Sequence, residues 1–115
     1  MRRGDIVAVS LDPARGSEAS RTRPAIVVSN DAANATATRL GRGVITVVPI
    51  TSNVARIYPF QVLLRADQTG LRQDSKAQAE QIRSVAVERI GKEIGKLSTA
   101  VLAELDDALR VHLAL

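Results

Sequence analysis

Apolar positions recur along this chain in short runs separated by polar, turn-forming stretches, a pattern of strands rather than of long helices. Ile6-Val7-Ala8-Val9 is a β-prone run that ends at Asp12-Pro13. Residues 13–23 are small, polar and basic with one Gly, and read as a mobile loop. Pro24 to Ser29 reads as a second strand, Pro being tolerated at a first or edge position. Asn30-Asp31 can cap the short alanine-rich turn that runs to Arg39. Gly41-Arg42-Gly43 then breaks the chain. Residues 44–50 (VITVVPI) are the most β-branched stretch and predict a central strand, with a bulge or an end at Pro49. Thr51 to Pro59 reads as a polar loop, Phe60 to Leu64 as a strand and residues 65–75 as a turn. Ala77 to Arg83 reads as extended, and Glu93 to Leu97 as one more short strand.

The single long helical period lies at the C-terminus. Ser98 is its N-cap, and Val101, Leu102, Leu105, Ala108, Leu109 and Leu113 follow at spacings of three and four. Five or six short strands and one terminal helix predict a mainly β fold with α: a small, strongly bent antiparallel sheet or barrel. The length fits one domain over residues 1–115. No strand–helix–strand alternation or glycine fingerprint supports a dinucleotide-binding or P-loop domain. No apolar run approaches the roughly 20 residues of a membrane span. Met1-Arg2-Arg3 leads into Gly4-Asp5 rather than into a signal sequence, so residence in the cytoplasm, with no membrane partner, is the expectation.

Composition narrows the chemistry. With 45% apolar residues and no Cys, the core needs no disulfides, and thiolate nucleophiles, iron–sulfur sites and Cys-based zinc sites are excluded. One His leaves a conventional zinc or copper centre almost without ligands. The expectation is therefore no metal and no cofactor. Tyr58 and Phe60 are the whole aromatic complement, too few to stack several bases on an aromatic sheet.

The 16 basic residues outnumber 12 acidic ones, for a net charge of +4. Up to Arg65 there are nine Arg against four acids, an excess of +5, whereas the remainder holds seven basic and eight acidic residues. The positive field belongs to the first half and points to a polyanion. Arg suits phosphate because its planar fork of donors matches the oxygens.

Few side chains are left to perform a reaction. His112 reads as an ordinary helix residue with no second titrating group beside it in sequence, which excludes a histidine-pair nuclease. Ser residues lack partners for a triad. Asp106-Asp107 and Glu104 read as a solvated helix face, since adjacent positions on a helix do not face each other. Glu18 differs, standing in a basic loop beside Arg15, Arg21 and Arg23. Breaking an RNA phosphodiester needs little beyond such groups. The 2′-hydroxyl is a nucleophile supplied by the substrate, so the protein has only to align it and stabilise developing charge.

Arg3-Gly4-Asp5-Ile6, Asp12-Pro13, Gly16-Ser17-Glu18 and Arg23-Pro24-Ala25-Ile26-Val27-Val28-Ser29-Asn30 resemble the N-terminal signature of the MazF/PemK toxins. The resemblance continues through Val48-Pro49-Ile50-Thr51-Ser52, Tyr58-Pro59-Phe60, Asp74-Ser75 and Glu80-Gln81-Ile82-Arg83-Ser84. It closes on Ile94-Gly95-Lys96-Leu97 and the helix with Leu105-Asp106 and Ala108-Leu109. Each motif is weak alone, but their ordered set covers nearly the whole chain.

The resemblance implies a small SH3-like antiparallel barrel with a C-terminal helix, acting as a homodimer. It implies the toxin of a type II toxin–antitoxin system, a sequence-specific, metal-independent endoribonuclease cutting single-stranded RNA: mRNA, with rRNA or tRNA as further candidates. Cleavage would leave 2′,3′-cyclic phosphate and 5′-hydroxyl ends. A cognate antitoxin would inhibit by laying its C-terminal segment in the RNA groove. By position, Arg23 and Thr51 match the family's catalytic arginine and threonine, and Glu18 a glutamate important in some members. Ser17, Ser52, Asn53, Arg56, Tyr58 and Gln81 match positions that bind RNA or help choose the sequence cut. A guanidinium is a poor base, so Arg23 is read as a stabiliser of transition-state charge, with Glu18 as the base.

Two rival readings are a non-catalytic toxin of the same fold that binds gyrase, and a non-catalytic RNA-binding barrel. Gyrase poisons of the CcdB type engage their target through aromatic and hydrophobic C-terminal residues. This chain ends Val111-His112-Leu113-Ala114-Leu115 without Trp, which disfavours that use.

Overall fold

The computed structural model describes residues 1–10 and 22–115. Their elements run β1 (Asp5–Ser10), β2 (Thr22–Val27), α1 (Asp31–Leu40), β3 (Val44–Thr51), β4 (Gln61–Leu64) and the helical turn α2 (Ala66–Thr69). Then come β5 (Ser75–Gln78), β6 (Arg83–Ala86), β7 (Ile90–Lys96) and α3 (Thr99–Leu113). The ladders are antiparallel, in the order β4-β5-β3-β2-β1-β7, with β6 also paired to β3. The loop expected over residues 13–23 lies, up to residue 21, outside the described residues. No described helix is long and apolar enough to cross a membrane.

β3 is the hub, as its β-branched run predicts. One edge pairs Val47, Val48 and Pro49 with Val27, Ile26 and Ala25. The other edge pairs Val44–Val47 with β6, then Ile50 and Thr51 with β5. Pro49 falls where the strand changes partners, so its missing N–H removes no ladder bond on that edge. The bulge or strand end expected at Pro49 does not form.

The extended segment expected over Ala77 to Arg83 is also corrected. Ile50 faces Ala77 while Val47 faces Arg83, so the two residues of β3 between these pairs stand against five of its partner. The surplus coils into a 3₁₀ turn, Ala79–Gln81, with Ala79 fully buried. Like a large bulge, it re-aims the strand and sharpens the bend.

Strand alternation builds a core on each face of the sheet. Ile6, Ile26, Val48, Ile50, Val62 and Leu64 join Leu105, Ala108 and Leu109 of α3 in one cluster. Val7, Val9, Val27, Ile45, Val47 and Val85 form the other, with Ala37 of α1. Ile6 to Val9 are therefore buried on both sides and show no alternation.

The caps behave as predicted. Asn30 accepts from the Ala33 amide at 2.8 Å and Ser98 from the Val101 amide at 3.2 Å.

The seven strands curve but do not close. β4 and β7 end the ladder, and among the described residues no ladder joins β6 to β7, which are linked by the 3₁₀ turn Val87–Arg89. The expected barrel is in fact an open, bent sheet. α3 packs on β4 and the Ala79–Gln81 turn, covering a face that a closing ladder would otherwise have to seal.

Candidate active site

Pro24 holds the residue before it extended, so Arg23 continues β2 to its outer end, paired with Val9 of β1. The β2–β3 register ends at Ala25 opposite Pro49. Carried two residues further, it sets Arg23 opposite Thr51. Both residues line one groove of about 660 Å³. Ser52 follows Thr51 into the lining, and Ser75 joins from β5.

The facing wall comes from the α2–β5 connection and from β7: Gly70 to Gln73, and Lys92 to Ile94. Its position is set by a backbone-to-backbone contact. Gly70 has φ +83°, a left-handed value that suits glycine, and ends α2. An ideal Cβ built on Gly95 would lie 1.8 Å from the Thr69 carbonyl oxygen, so only glycine lets the turn rest on β7. Thr69 Oγ1 donates to the Arg65 carbonyl at 2.8 Å and accepts from the Leu71 amide at 3.3 Å. Asp74 accepts from the Ala66 amide at 2.9 Å and closes the loop.

Electrostatically the groove is lopsided. Arg23, Arg72 and Lys92 line it against a single carboxylate, Glu93. None of these cations is ion-paired to a described residue, the pairs among described residues being Arg2–Asp31, Arg3–Asp106 and Arg110–Asp107. Cations left unpaired in a groove attract a polyanion. Thr51 Oγ1 accepts from the Asn53 amide at 3.3 Å, and its hydroxyl proton, which no described residue accepts, can meet a phosphate oxygen. The arrangement places a hydroxyl and a guanidinium, both donors that suit phosphate oxygens, in one groove.

Of the residues anticipated from sequence, Arg23, Thr51 and Ser52 come together here. Glu18 and Ser17 lie outside the described residues. Asn53, Arg56 and Tyr58 are exposed on the β3–β4 loop, and Gln81 is exposed at the end of the 3₁₀ turn after β5; none of the four lines the groove. Tyr58 stacks on Phe60, with centroids 5.3 Å apart and planes 1° from parallel. The Arg56 guanidinium carbon lies 5.1 Å from the Tyr58 ring centroid. Arg72, Gln73 and Lys92 were not anticipated. Their signal was the polar run before Ser75 and the charged residues of β7; the Gly70–Gly95 contact seats the turn, and the ladder with β1 seats β7.

A family model described as PemK-like, MazF-like toxin of type II toxin–antitoxin system matches residues 2–113. Endoribonuclease MazF9 of Mycobacterium tuberculosis is 70% identical over 115 residues, spanning 100% of this chain and 98% of its own. Endoribonuclease EndoA of Bacillus subtilis is 33% identical over 116 residues, spanning 100% of this chain and 96% of its own. Among solved structures, MazE-MazF (Form-II) from Deinococcus radiodurans superposes with a TM-score of 0.77 at 29% identity, covering 100% of this chain and 96% of that one.

Proposed function

This chain belongs to the PemK-like, MazF-like toxins of type II toxin–antitoxin systems, and we propose that it is a sequence-specific endoribonuclease cutting single-stranded RNA, mRNA above all, without a metal. The observation that carries this reading is that Arg23 and Thr51 line one groove together with Arg72 and Lys92. Endoribonuclease relatives at 70% and 33% identity over the full chain support it.

In the proposed reaction the 2′-oxygen attacks the adjacent phosphorus and the bond to the 5′-oxygen breaks. Products are a 2′,3′-cyclic phosphate and a 5′-hydroxyl, the proton lost by the 2′-hydroxyl being balanced by one gained by the 5′-oxygen. Arg23 donates to the non-bridging oxygens as charge accumulates on them, and Thr51 fixes the phosphate in line. Glu18 takes the 2′-proton. Ser17, Ser52, Asn53, Arg56, Tyr58 and Gln81 hold the flanking nucleotides. A rigid strand end suits Thr51, because such alignment tolerates errors of only about 0.5 Å.

Residues 1–115 act as one domain in the cytoplasm. The cognate antitoxin inhibits by laying its C-terminal segment in the groove, where Arg23, Arg72 and Lys92 would receive acidic side chains. Pairing into a homodimer covers the apolar end of α3, where Val111, Leu113 and Leu115 are 58%, 45% and 85% exposed. Sedimentation at micromolar concentration should then give about twice the 12.3 kDa of one chain.

The deciding experiment incubates the protein with RNA in EDTA. Cleavage to cyclic-phosphate ends supports the reading, and retention of RNA without cleavage makes the protein a binding module instead.

A further inference from the structure

Lys76 is a lysine only 8% exposed, yet no described carboxylate pairs with it. Burying an ammonium is costly, and an apolar side chain of similar length would fill the space without that cost. What the ammonium does hold is the β3–β4 loop. Its Nζ donates to the Arg56 carbonyl oxygen at 2.6 Å and lies 6.0 Å from the centroid of the Tyr58 ring. The β3–β5 register places Lys76 directly opposite Thr51. One side chain thus runs from the strand beside the groove hydroxyl to the loop that carries Arg56 and Tyr58.

A second tether acts beside it. Gln61 accepts from the Tyr58 amide at 3.1 Å and donates to Glu80 at 2.8 Å. Arg56 and Tyr58 themselves are exposed, one over the face of the other, backed by Phe60. A guanidinium and an aromatic plate held at fixed distance from a cleavage site form a platform for an unstacked RNA base.

We propose that Lys76 is a positioning residue that sets which RNA sequence is cut, by fixing the Arg56–Tyr58 platform relative to Thr51. This rests on the endoribonuclease reading above. Its action passes through the loop, not through the reacting phosphate. Replacing the ammonium should therefore change the choice of substrate more than the speed of the step.

The test compares the parent with Lys76→Met and Lys76→Arg. Tyr58 is the one Tyr in a chain without Trp, so ultraviolet emission reports this loop alone. In Lys76→Met, acrylamide should quench that emission at least about twofold more strongly. The ratio of kcat/KM for the best RNA over its single-base variants should fall about tenfold, the worth of one charge-assisted hydrogen bond. Most of that change should sit in KM, with kcat falling less than about threefold, and Lys76→Arg should recover part of both signals. If Lys76→Met loses its far-UV circular dichroism, Lys76→Gln, polar but neutral, carries the same comparison. Unchanged quenching and unchanged selectivity would overturn the proposal, as would a loss confined to kcat. If the parent cuts no RNA at all, the endoribonuclease reading fails, while the quenching comparison still decides whether Lys76 holds the loop.

Discussion

The wall that carries Arg23 and Thr51 is made of paired strands, whereas the wall that carries Arg72 and Lys92 is a turn and an edge strand held together by two glycines. The first is locked by ladder bonds on β2 and β3 and by buried apolar residues on both faces of the sheet. In the second, β7 is laddered to β1 on one edge, while the turn from Gly70 to Gln73 rests on a few side-chain bonds from Thr69 and Asp74 and on one close backbone contact. Precision and charge are thus divided between them. An in-line displacement needs atoms placed to a fraction of an ångström, which a sheet supplies. Attraction of a phosphate chain falls off over a Debye length and tolerates a turn that shifts.

The largest effect tests the chemistry assigned to the strand wall. An RNA with 2′-deoxyribose at the cut position has no nucleophile, so cleavage there should vanish while binding persists. Normal cutting of that substrate would show that the groove performs a different reaction. Next in size are Arg23→Ala and Thr51→Ala, each expected to lower kcat by about 10²–10³-fold, the usual cost of one oxyanion stabiliser. Both sit at strand ends, so circular dichroism should stay native. Rates within a few-fold of the parent would erase the distinction between the walls.

The two walls also differed in how far the sequence foretold them. VITVVPI at 44–50 marked β3 by its β-branched residues, and the caps Asn30 and Ser98 marked the starts of α1 and α3. Arg23 and Thr51 read as the ends of loops beside strands of clear pattern, and those strands in fact extend to include them, so that both line one groove. The far wall had no comparable pattern. Strand β7 begins at Ile90 rather than at Glu93, with Gly91 lying so close to β1 that its ideal Cβ position is 3.2 Å from the Ala8 carbonyl oxygen. The Gly70–Gly95 contact joins residues far apart in sequence, and nothing local announces it. That contact brings the turn carrying Arg72 to the groove, whereas Lys92 arrives on β7 through its ladder with β1. Closure failed for a similar reason, since strand count gives no measure of how α3 covers the sheet.

Gly95→Ala probes the turn wall directly. A methyl group 1.8 Å from the Thr69 oxygen forces the turn off β7, a clash of the kind that costs about 1–3 kcal/mol. The melting temperature should fall by about 4 °C for each kcal/mol lost, and the strain falls on Gly70 to Gln73 rather than on β2 and β3. An unchanged melting temperature would mean that the turn is not held by this contact.

The smallest effects belong to the cations on that turn wall. Arg72→Ala and Lys92→Ala each remove one charge that meets the phosphate chain without touching the reacting atoms. Each should lower kcat/KM by about three- to tenfold at low salt, an effect that shrinks as salt rises and screens the contact. For single-stranded nucleic acid, log Kd depends on log salt with a slope set by the number of phosphates neutralised, about 0.7 per contact. Each variant should therefore flatten that slope by about 0.7, and the double variant by about twice as much. Arg23→Ala should flatten it by a similar step while costing far more in kcat. If Arg72→Ala and Lys92→Ala leave the salt slope untouched, the turn wall does not bind the chain, and the charge of the groove reduces to Arg23.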